Sequence, residues 1–345
     1  MIQSHPTMMY SEAAEAPNLS RLQLENNRDL LKQAVRQIRS FSPRLVLTCG
    51  RGSSSYAANY AKYLIETRIG IPTFLQAPSI ASIYAATPDN MSDTALLIIS
   101  QSGKSPDLLA TASAMKASGA LLIGMINDTT SPLAKLVDIL IPLHAGPEKS
   151  VAATKSYIAT LIAVASLVAE WGQFFDLTEN LAQIHEYLEE AWGLDWSRAV
   201  PTFAGASSMF TLGRGLTLAV AGEAALKLKE TSSLHAESFS SAEVAHGPMA
   251  IIKRDFPILA FIPDDQAGAG MRTIIDDFSK RGANIWVTGQ DWREDRTLPR
   301  VRNLHAAIAP ICSALSFYKL CNEISLARGC NPDAPESLNK VTETL

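Results

Sequence analysis

The sequence predicts an α/β fold of two tandem, doubly wound parallel sheets. Three observations carry this. Short apolar runs alternate with segments of helical period along the chain. The phrase Thr48-Cys49-Gly50-Arg51-Gly52 returns as Thr211-Leu212-Gly213-Arg214-Gly215, each time where a strand closes and a helix opens. The length, 345 residues, corresponds to about two domains at roughly 150 residues each.

Ser20 to Ser40 places Leu24, Leu31, Val35 and Ile38 on one helical face, and Pro43 ends it, so an amphipathic helix opens the fold. Leu45 to Cys49 reads as a buried parallel strand, followed by a helix over Tyr56 to Thr67. Thr73 to Leu75 is a short strand, Ile80 to Ala86 a short helix, Ala95 to Ser100 a strand and Pro106 to Ala117 a helix. Leu121 to Asn127, a helical turn over Pro132 to Val137, and Ile139 to Leu143 complete the first half. Ile158 to Ala169 is an apolar run too short for a bilayer, which takes about 20 residues, and reads as a buried or subunit-facing helix.

Leu177 to Leu194 reads as one connecting helix, after which the pattern restarts. Met209 to Leu212 is a strand, Leu216 to Thr231 a helix, and Phe256 to Phe261 and Ile285 to Thr288 are strands. The segment Cys330-Asn331-Pro332-Asp333-Ala334-Pro335-Glu336 holds two prolines and cannot be regular structure. The predicted division is a tail and amphipathic helix over 1–42, a first domain over 43–172, a connecting helix over 173–200, a second domain over 201–330 and a tail over 331–345.

Lys plus Arg is 30 against 34 for Asp plus Glu, a net charge of -4, so no overall basic field invites nucleic acid or an anionic membrane. Hydrophobic residues at 47% fit a folded chain with large cores. Cys49, Cys312, Cys321 and Cys330 form no C-x-x-C pair and have no His at ligand spacing, so neither a metal site nor a disulfide framework is expected. Acids and prolines occupy Met1 to Pro17, where a secretion signal would need an apolar core. Reduced cytoplasmic thiols are the expectation.

The most informative stretch is Ser100-Gln101-Ser102-Gly103-Lys104-Ser105-Pro106-Asp107. An apolar strand ends in hydroxyls, an amide and a glycine, and a helix starts at once with Pro at its first position. Unpaired N–H groups there, the helix dipole and the hydroxyls of Ser100, Ser102 and Ser105 can converge on one anion. The bland alternative is a helix cap, which needs one hydroxyl rather than three with Gln101. A second hydroxyl cluster, Ser53-Ser54-Ser55, follows the first strand and reaches the same sheet edge. Neither stretch has the G-x-x-x-x-G-K pattern of a nucleotide loop, which points to a small phosphorylated metabolite.

In the second half the loop after Phe256 to Phe261 carries Asp264 and Asp265, where a phosphate would need donors. The candidates for chemistry there are instead Lys227, Glu230 and His246, each with a bland reading beside it. Lys227 and Glu230 share a helical face at i, i+3 spacing, for which the bland reading is a surface ion pair worth a few tenths of a kcal/mol. His246 precedes Gly247-Pro248 in a loop.

These motifs together resemble the sugar isomerase (SIS) domain family, specifically the isomerase half of glucosamine-6-phosphate synthase and the stand-alone SIS-type glucosamine-6-phosphate deaminases. The carriers are Ser100 to Gly103, Val151-Ala152-Ala153-Thr154-Lys155, the run Ala225 to Glu230, His246-Gly247-Pro248 and the closing Lys340-Val341-Thr342. The resemblance covers about residues 20 to 345. It implies two flavodoxin-like domains, with Ser53 or Ser54, Ser100, Gln101, Ser102 and Ser105 on the sugar phosphate and Val151 and Ala152 lining the sugar. It implies further that Glu230 moves a proton between C1 and C2, that His246 opens the ring, and that Lys227 and Lys340 hold the open-chain oxygens. A homodimer with His246 supplied across its interface follows from the same resemblance, and the proton shuttle itself needs no metal or organic cofactor.

Two positions depart from the family pattern. Arg51-Gly52 follows Cys49-Gly50 where the family has Thr-Ser, and Lys104 stands where the family has Glu, with Ser105 for Thr. The proton shuttle itself asks for one carboxylate working on one face of the substrate, with a neighbouring ammonium steadying the developing enolate oxygen. The chain opens Met1-Ile2-Gln3 and its first cysteine is Cys49, so the expectation is a chain without a glutaminase, running glucosamine 6-phosphate and water to fructose 6-phosphate and ammonia. Alternatives are a fructosamine-6-phosphate deglycase, a galactosamine-6-phosphate deaminase and, in another class, a non-catalytic sugar-phosphate sensor.

Overall fold

Strands whose every side chain is apolar or small need cover on both faces, and a parallel sheet flanked by helices provides it. In a computed structural model of the chain, residues 6–289, 292–336, 338 and 340 are described. They form two compact units, one of residues 18–148 and 156–184, the other of 6–17, 149–155 and 185–340.

Helix α1 spans Met8–Ala14 and α2 spans Ala16–Phe41. The predicted opening helix is therefore longer than its periodicity indicates, and α1 was not foreseen, because seven residues are too few to show a period. The first sheet is built from β1 (Leu45–Cys49), β2 (Thr73–Leu75), β3 (Thr94–Ser100), β4 (Leu121–Ile126) and β5 (Ile139–Pro142). Its helices are α3 (Ser53–Arg68), α4 (Ser79–Ser82), α5 (Pro106–Ala117) and α6 (Pro132–Leu136). All seven residues of β3 are buried, as befits the central strand. Leu47, Leu96, Ile98, Leu108 and Met115 belong to the core between this sheet and its helices.

Helix α7 (Lys155–Gly172) contains the apolar run and is buried along most of its length, while no helix among the described residues is long and apolar enough to cross a membrane. The connecting segment is two helices, α8 (Phe175–Ala182) and α9 (Ile184–Gly193), because Gln183 leaves helical geometry at φ -104°, ψ 7°. A short helix, α10 (Val200–Ala204), leads into the second sheet: β6 (Ser208–Gly213), β7 (His235–Ser240), β8 (Pro257–Phe261), β9 (Asn284–Thr288) and β10 (Thr297–Leu298). Helices α11 (Leu216–Ser232), α12 (Gln266–Lys280) and α13 (Ala309–Ala327) complete this unit. Strand β7 lies outside the predicted set because His-Ala-Glu-Ser-Phe-Ser is polar, yet it pairs with β6 along its whole length.

The two sheets repeat one topology. The first has the order β2-β1-β3-β4-β5, and the second, β7-β6-β8-β9-β10, is the same 2-1-3-4-5 arrangement counted from its own first strand. All pairings are parallel. The repeat extends to backbone detail. Gly52 caps α3 at φ 54°, ψ -130°, and Gly215 caps α11 at φ 57°, ψ -130°. A Cβ on Gly50 would come within 2.7 Å of the Ser54 backbone, and one on Gly213 within 2.4 Å of the Thr217 backbone. The shared Gly-Arg-Gly phrase thus marks a helix brought hard against the strand end, a geometry only glycine admits.

Candidate functional site

In a 2-1-3-4-5 sheet the crevice opens where connections leave in opposite directions, between the first and third strands. Both hydroxyl clusters lie there, Ser53–Ser55 after β1 and Ser100–Ser105 after β3. The Ser100 hydroxyl accepts from Gly103 N at 2.9 Å, and the Ser102 hydroxyl accepts from Lys104 N at 3.3 Å. Each oxygen is thereby fixed as an acceptor, which leaves its O–H proton for a further partner. Ser105 stands at the N-cap of α5 without a side-chain capping bond, so simple capping does not account for it. Ser53, Ser54, Gln101, Ser102 and Ser105 are half-buried, whereas Ser100 is buried. Gly103 has φ +62°, and a Cβ there would lie 2.0 Å from the Ser131 hydroxyl.

The sequence reading missed the ion pair beneath this loop pair. The Arg51 Nε donates to Asp107 Oδ2 at 2.7 Å, and Asp107 Oδ1 accepts from Leu108 N at 2.7 Å. Asp107 is wholly buried while the Arg51 side chain is 47% exposed. Lys104 pairs with Asp128 at 3.3 Å, and the hydroxyl and backbone N–H of Thr130 hold that carboxylate below the usual range. Both cations of the cradle are thus matched by carboxylates, and its spare donors are neutral. The signal available in the sequence was Arg51 itself, a charge in a loop otherwise made of glycine and serine.

In the other unit, α11 carries Glu223, Lys227 and Glu230 on one face. Lys227 is buried, so the surface-pair reading fails: its ammonium donates to Glu230 Oε2 and lies 3.7 Å from Glu223 Oε1. Glu223 is itself buried and accepts from the Tyr318 hydroxyl at 2.9 Å. Burial alone would lower the pKa of Lys227, but Glu223 and Glu230 outweigh it and the net shift is upward. Glu230 faces outward from this cluster into a cavity of about 570 Å³, whose walls include Lys229, Cys330, Asn331 and Pro335.

Lys340 donates to the Ser150 carbonyl at 2.6 Å, and Val151 N donates to the Asp333 carbonyl at 3.2 Å, so the tail and the 149–155 loop meet. Ala152 beside Val151 is buried. Val341 and Thr342, the rest of the closing motif, lie outside the described residues. His246 ends a 3-10 turn over Glu243–His246 and is exposed, followed by Gly247 at φ 146°. The two carboxylates of the second-half loop are both engaged: Asp265 caps α12 by accepting from Ala267 N at 2.9 Å, and Asp264 pairs with Arg300. Among the described residues no group of three His, Cys, Asp or Glu is placed to hold a metal ion.

A family model described as "SIS domain" matches residues 41–170 and 202–289. A glutamine–fructose-6-phosphate aminotransferase [isomerizing] from Chlorobaculum tepidum is 31% identical over 327 residues, covering 90% of this chain and 52% of that protein. The chain spans about half the length of the curated relatives it matches. A solved structure from Silicibacter pomeroyi, titled a "putative phosphosugar isomerase", is 38% identical with TM-score 0.90, covering 95% of this chain and 100% of that one. A glucosamine-6-phosphate deaminase from Thermotoga maritima has TM-score 0.79 at 21% identity, over 98% of this chain and 100% of that one, a likeness of fold alone.

Proposed function

This chain belongs to the SIS domain family, and on that premise we propose that it is a phosphosugar isomerase acting on an amino-sugar phosphate, converting glucosamine 6-phosphate and water to fructose 6-phosphate and ammonia. The observation that carries the reading is the buried Lys227 ammonium bonded to Glu230, with the Glu230 carboxylate lining a cavity. A binding protein needs a phosphate cradle. It has no use for a buried ammonium held against a carboxylate at a cavity wall, which costs desolvation to maintain. The names of the 31% relative and of the 38% structure, an isomerizing fructose-6-phosphate enzyme and a phosphosugar isomerase, support the same reaction class.

In this proposal the neutral donors of Ser100, Ser102, Ser105 and the 53–55 loop take the phosphate oxygens, and Gln101 closes the set. His246 moves a proton between the ring oxygen and O1 to open the pyranose. Glu230 then removes the C2 proton, giving an enolaminol, and the buried Lys227 ammonium bonded to Glu230 supplies the fixed positive charge that steadies the charge developing on O1. Returning that proton to C1 gives a C2 ketimine. Water adds to its carbon, the C–N bond breaks, and ammonia leaves with a ketone at C2. Lys340 and the Val151 backbone hold the open chain while this happens.

Incubation of the protein with glucosamine 6-phosphate tests it: ammonia and fructose 6-phosphate appear in equal amounts. Parallel arms with galactosamine 6-phosphate and fructosamine 6-phosphate fix the stereochemistry and the nitrogen substituent. Binding without turnover on all three would make the protein a sensor and overturn the proposal.

A further inference from the structure

We infer that α1 is a working part of the proposed site and that Asp333 is the positioning residue joining it to the tail. The inference rests on the functional reading above for what is positioned, but the contacts stand independently of it. Both α1 and the tail lie outside the stretches matched by the family model.

Thr7 is extended at φ -62°, ψ 159° and caps α1, its hydroxyl accepting from Tyr10 N at 3.1 Å. That leaves the N–H groups of Met8 and Met9 without partners in the helix. Asp333, more than three hundred residues away along the chain, supplies them: Oδ2 accepts from Met8 N at 2.8 Å and Oδ1 from Met9 N at 2.7 Å. A carboxylate using both oxygens on successive N–H groups at a helix start is charge-assisted and favoured by the helix dipole. The Asn331 side chain accepts from Asp333 N at 3.0 Å and turns the tail toward this contact, while the Asp333 carbonyl receives Val151 N at 3.2 Å.

The rest of α1 fixes the loop that Val151 belongs to. Glu12, buried, accepts from Lys149 N at 2.5 Å and Ser150 N at 3.2 Å, and Glu15 pairs with the buried Lys155 at 2.7 Å. The helix itself is anchored by the buried Met9 and Ala13, and its Tyr10 ring sits 4.7 Å from that of Trp192. Among the described residues, neither the 149–155 loop nor the tail belongs to a sheet. The carboxylates of Glu12, Glu15 and Asp333 tie both segments to α1, and Val151, Ala152 and Lys340 lie on the segments so held.

Three variants test this. Asp333→Ala removes the acceptor, and Asp333→Asn leaves one oxygen for two donors. Met8→Pro deletes one donor without touching the tail, and the extended Thr7 is the conformation a following proline requires at a helix start. Steady-state kinetics on glucosamine 6-phosphate should show kcat lowered tenfold or more with KM raised in Asp333→Ala, and several-fold effects in the other two. In all three, hydrogen exchange at the Val151 amide and thiol labelling of Cys330, the one cysteine that is not buried, should accelerate. Wild-type kcat and KM in Asp333→Ala would overturn the inference, as would unchanged exchange and labelling. Should Asp333→Ala fail to fold, Met8→Pro decides on the same readouts. If the unsubstituted protein turns over no phosphosugar, the functional reading fails by itself. Exchange and labelling then judge the latch: acceleration supports it, and wild-type protection overturns it.

Discussion

Lys227 and Glu230 stand three residues apart on α11, and the buried ammonium of the first donates to the carboxylate of the second. Glu223, one turn earlier and wholly buried, leaves that ammonium between two carboxylates, and the Tyr318 hydroxyl secures Glu223 from α13. The cluster holds a proton on Lys227 while exposing the opposite charge, through Glu230, to the cavity. This asymmetry gives the proposed base an address and its electrostatic partner a fixed charge.

Replacing Glu230 with Gln keeps the size of the side chain and removes its ability to accept a proton. Turnover of glucosamine 6-phosphate should fall by at least about a thousandfold, in the upper part of the range for general acid–base groups, while substrate binding measured by calorimetry stays within a few-fold. A variant with a near wild-type rate would take Glu230 out of the mechanism.

Lys227→Met strips the counter-ion from a carboxylate with no access to water. Breaking a buried pair by removing one partner costs about 3–5 kcal/mol, and urea unfolding should show a loss of that order. Adding Glu223→Gln to it should recover part of the stability, since the second change removes the charge left stranded. A purely additive double variant would mean that Glu223 and Lys227 do not interact.

How much of this could be read from the chain depends on where the controlling contact sits. Leu45–Cys49 and Pro106–Ala117 were legible to the residue, because an apolar run bounded by glycine, and a proline at a helix start, are local signals. The hydroxyl loops were legible for the same reason. That Lys227 is buried was not, since the helix face it occupies is decided by α13, which lies about ninety residues later. Asp333 reads locally as a turn residue between prolines, and its role depends on a helix at the other end of the chain. Arg51 stands out in the sequence as a departure from the family pattern, but nothing local ties it to Asp107, an acid in the first turn of α5.

Burial raises the pKa of Cys49 and of Cys321 from 9.0 to about 12, and Cys312 moves the same way. A thiol is neutral when protonated, so the folded state keeps protons that the unfolded state releases above pH 9. Stability contributed by these groups is complete below pH 9 and declines from there toward pH 12. One unit above the unfolded value the loss is about 1.4 kcal/mol per thiol. Urea unfolding at pH 8, 9 and 10 should show little change over the first step and a clear fall over the second. Cys312→Ala should make that fall smaller, and an equal fall in that variant would rule out the thiol as its source.

The exposure of His246 sets up the last test. The resemblance implies that it serves the site of a second copy, and we propose that it does so while Glu230 serves its own chain. In a two-fold symmetric dimer each site would then draw Glu230 from one subunit and His246 from the other. Glu230→Gln and His246→Ala should each be inactive as pure proteins. Unfolded together and refolded as a mixture, half of the dimers are mixed. Each of those has one site carrying both changes and one carrying neither. Activity should return to about one quarter of the unsubstituted level, the value random pairing of a symmetric dimer gives. If both residues act within one chain, every site retains one lesion and the mixture stays inactive, which would place His246 with Glu230 in the same subunit.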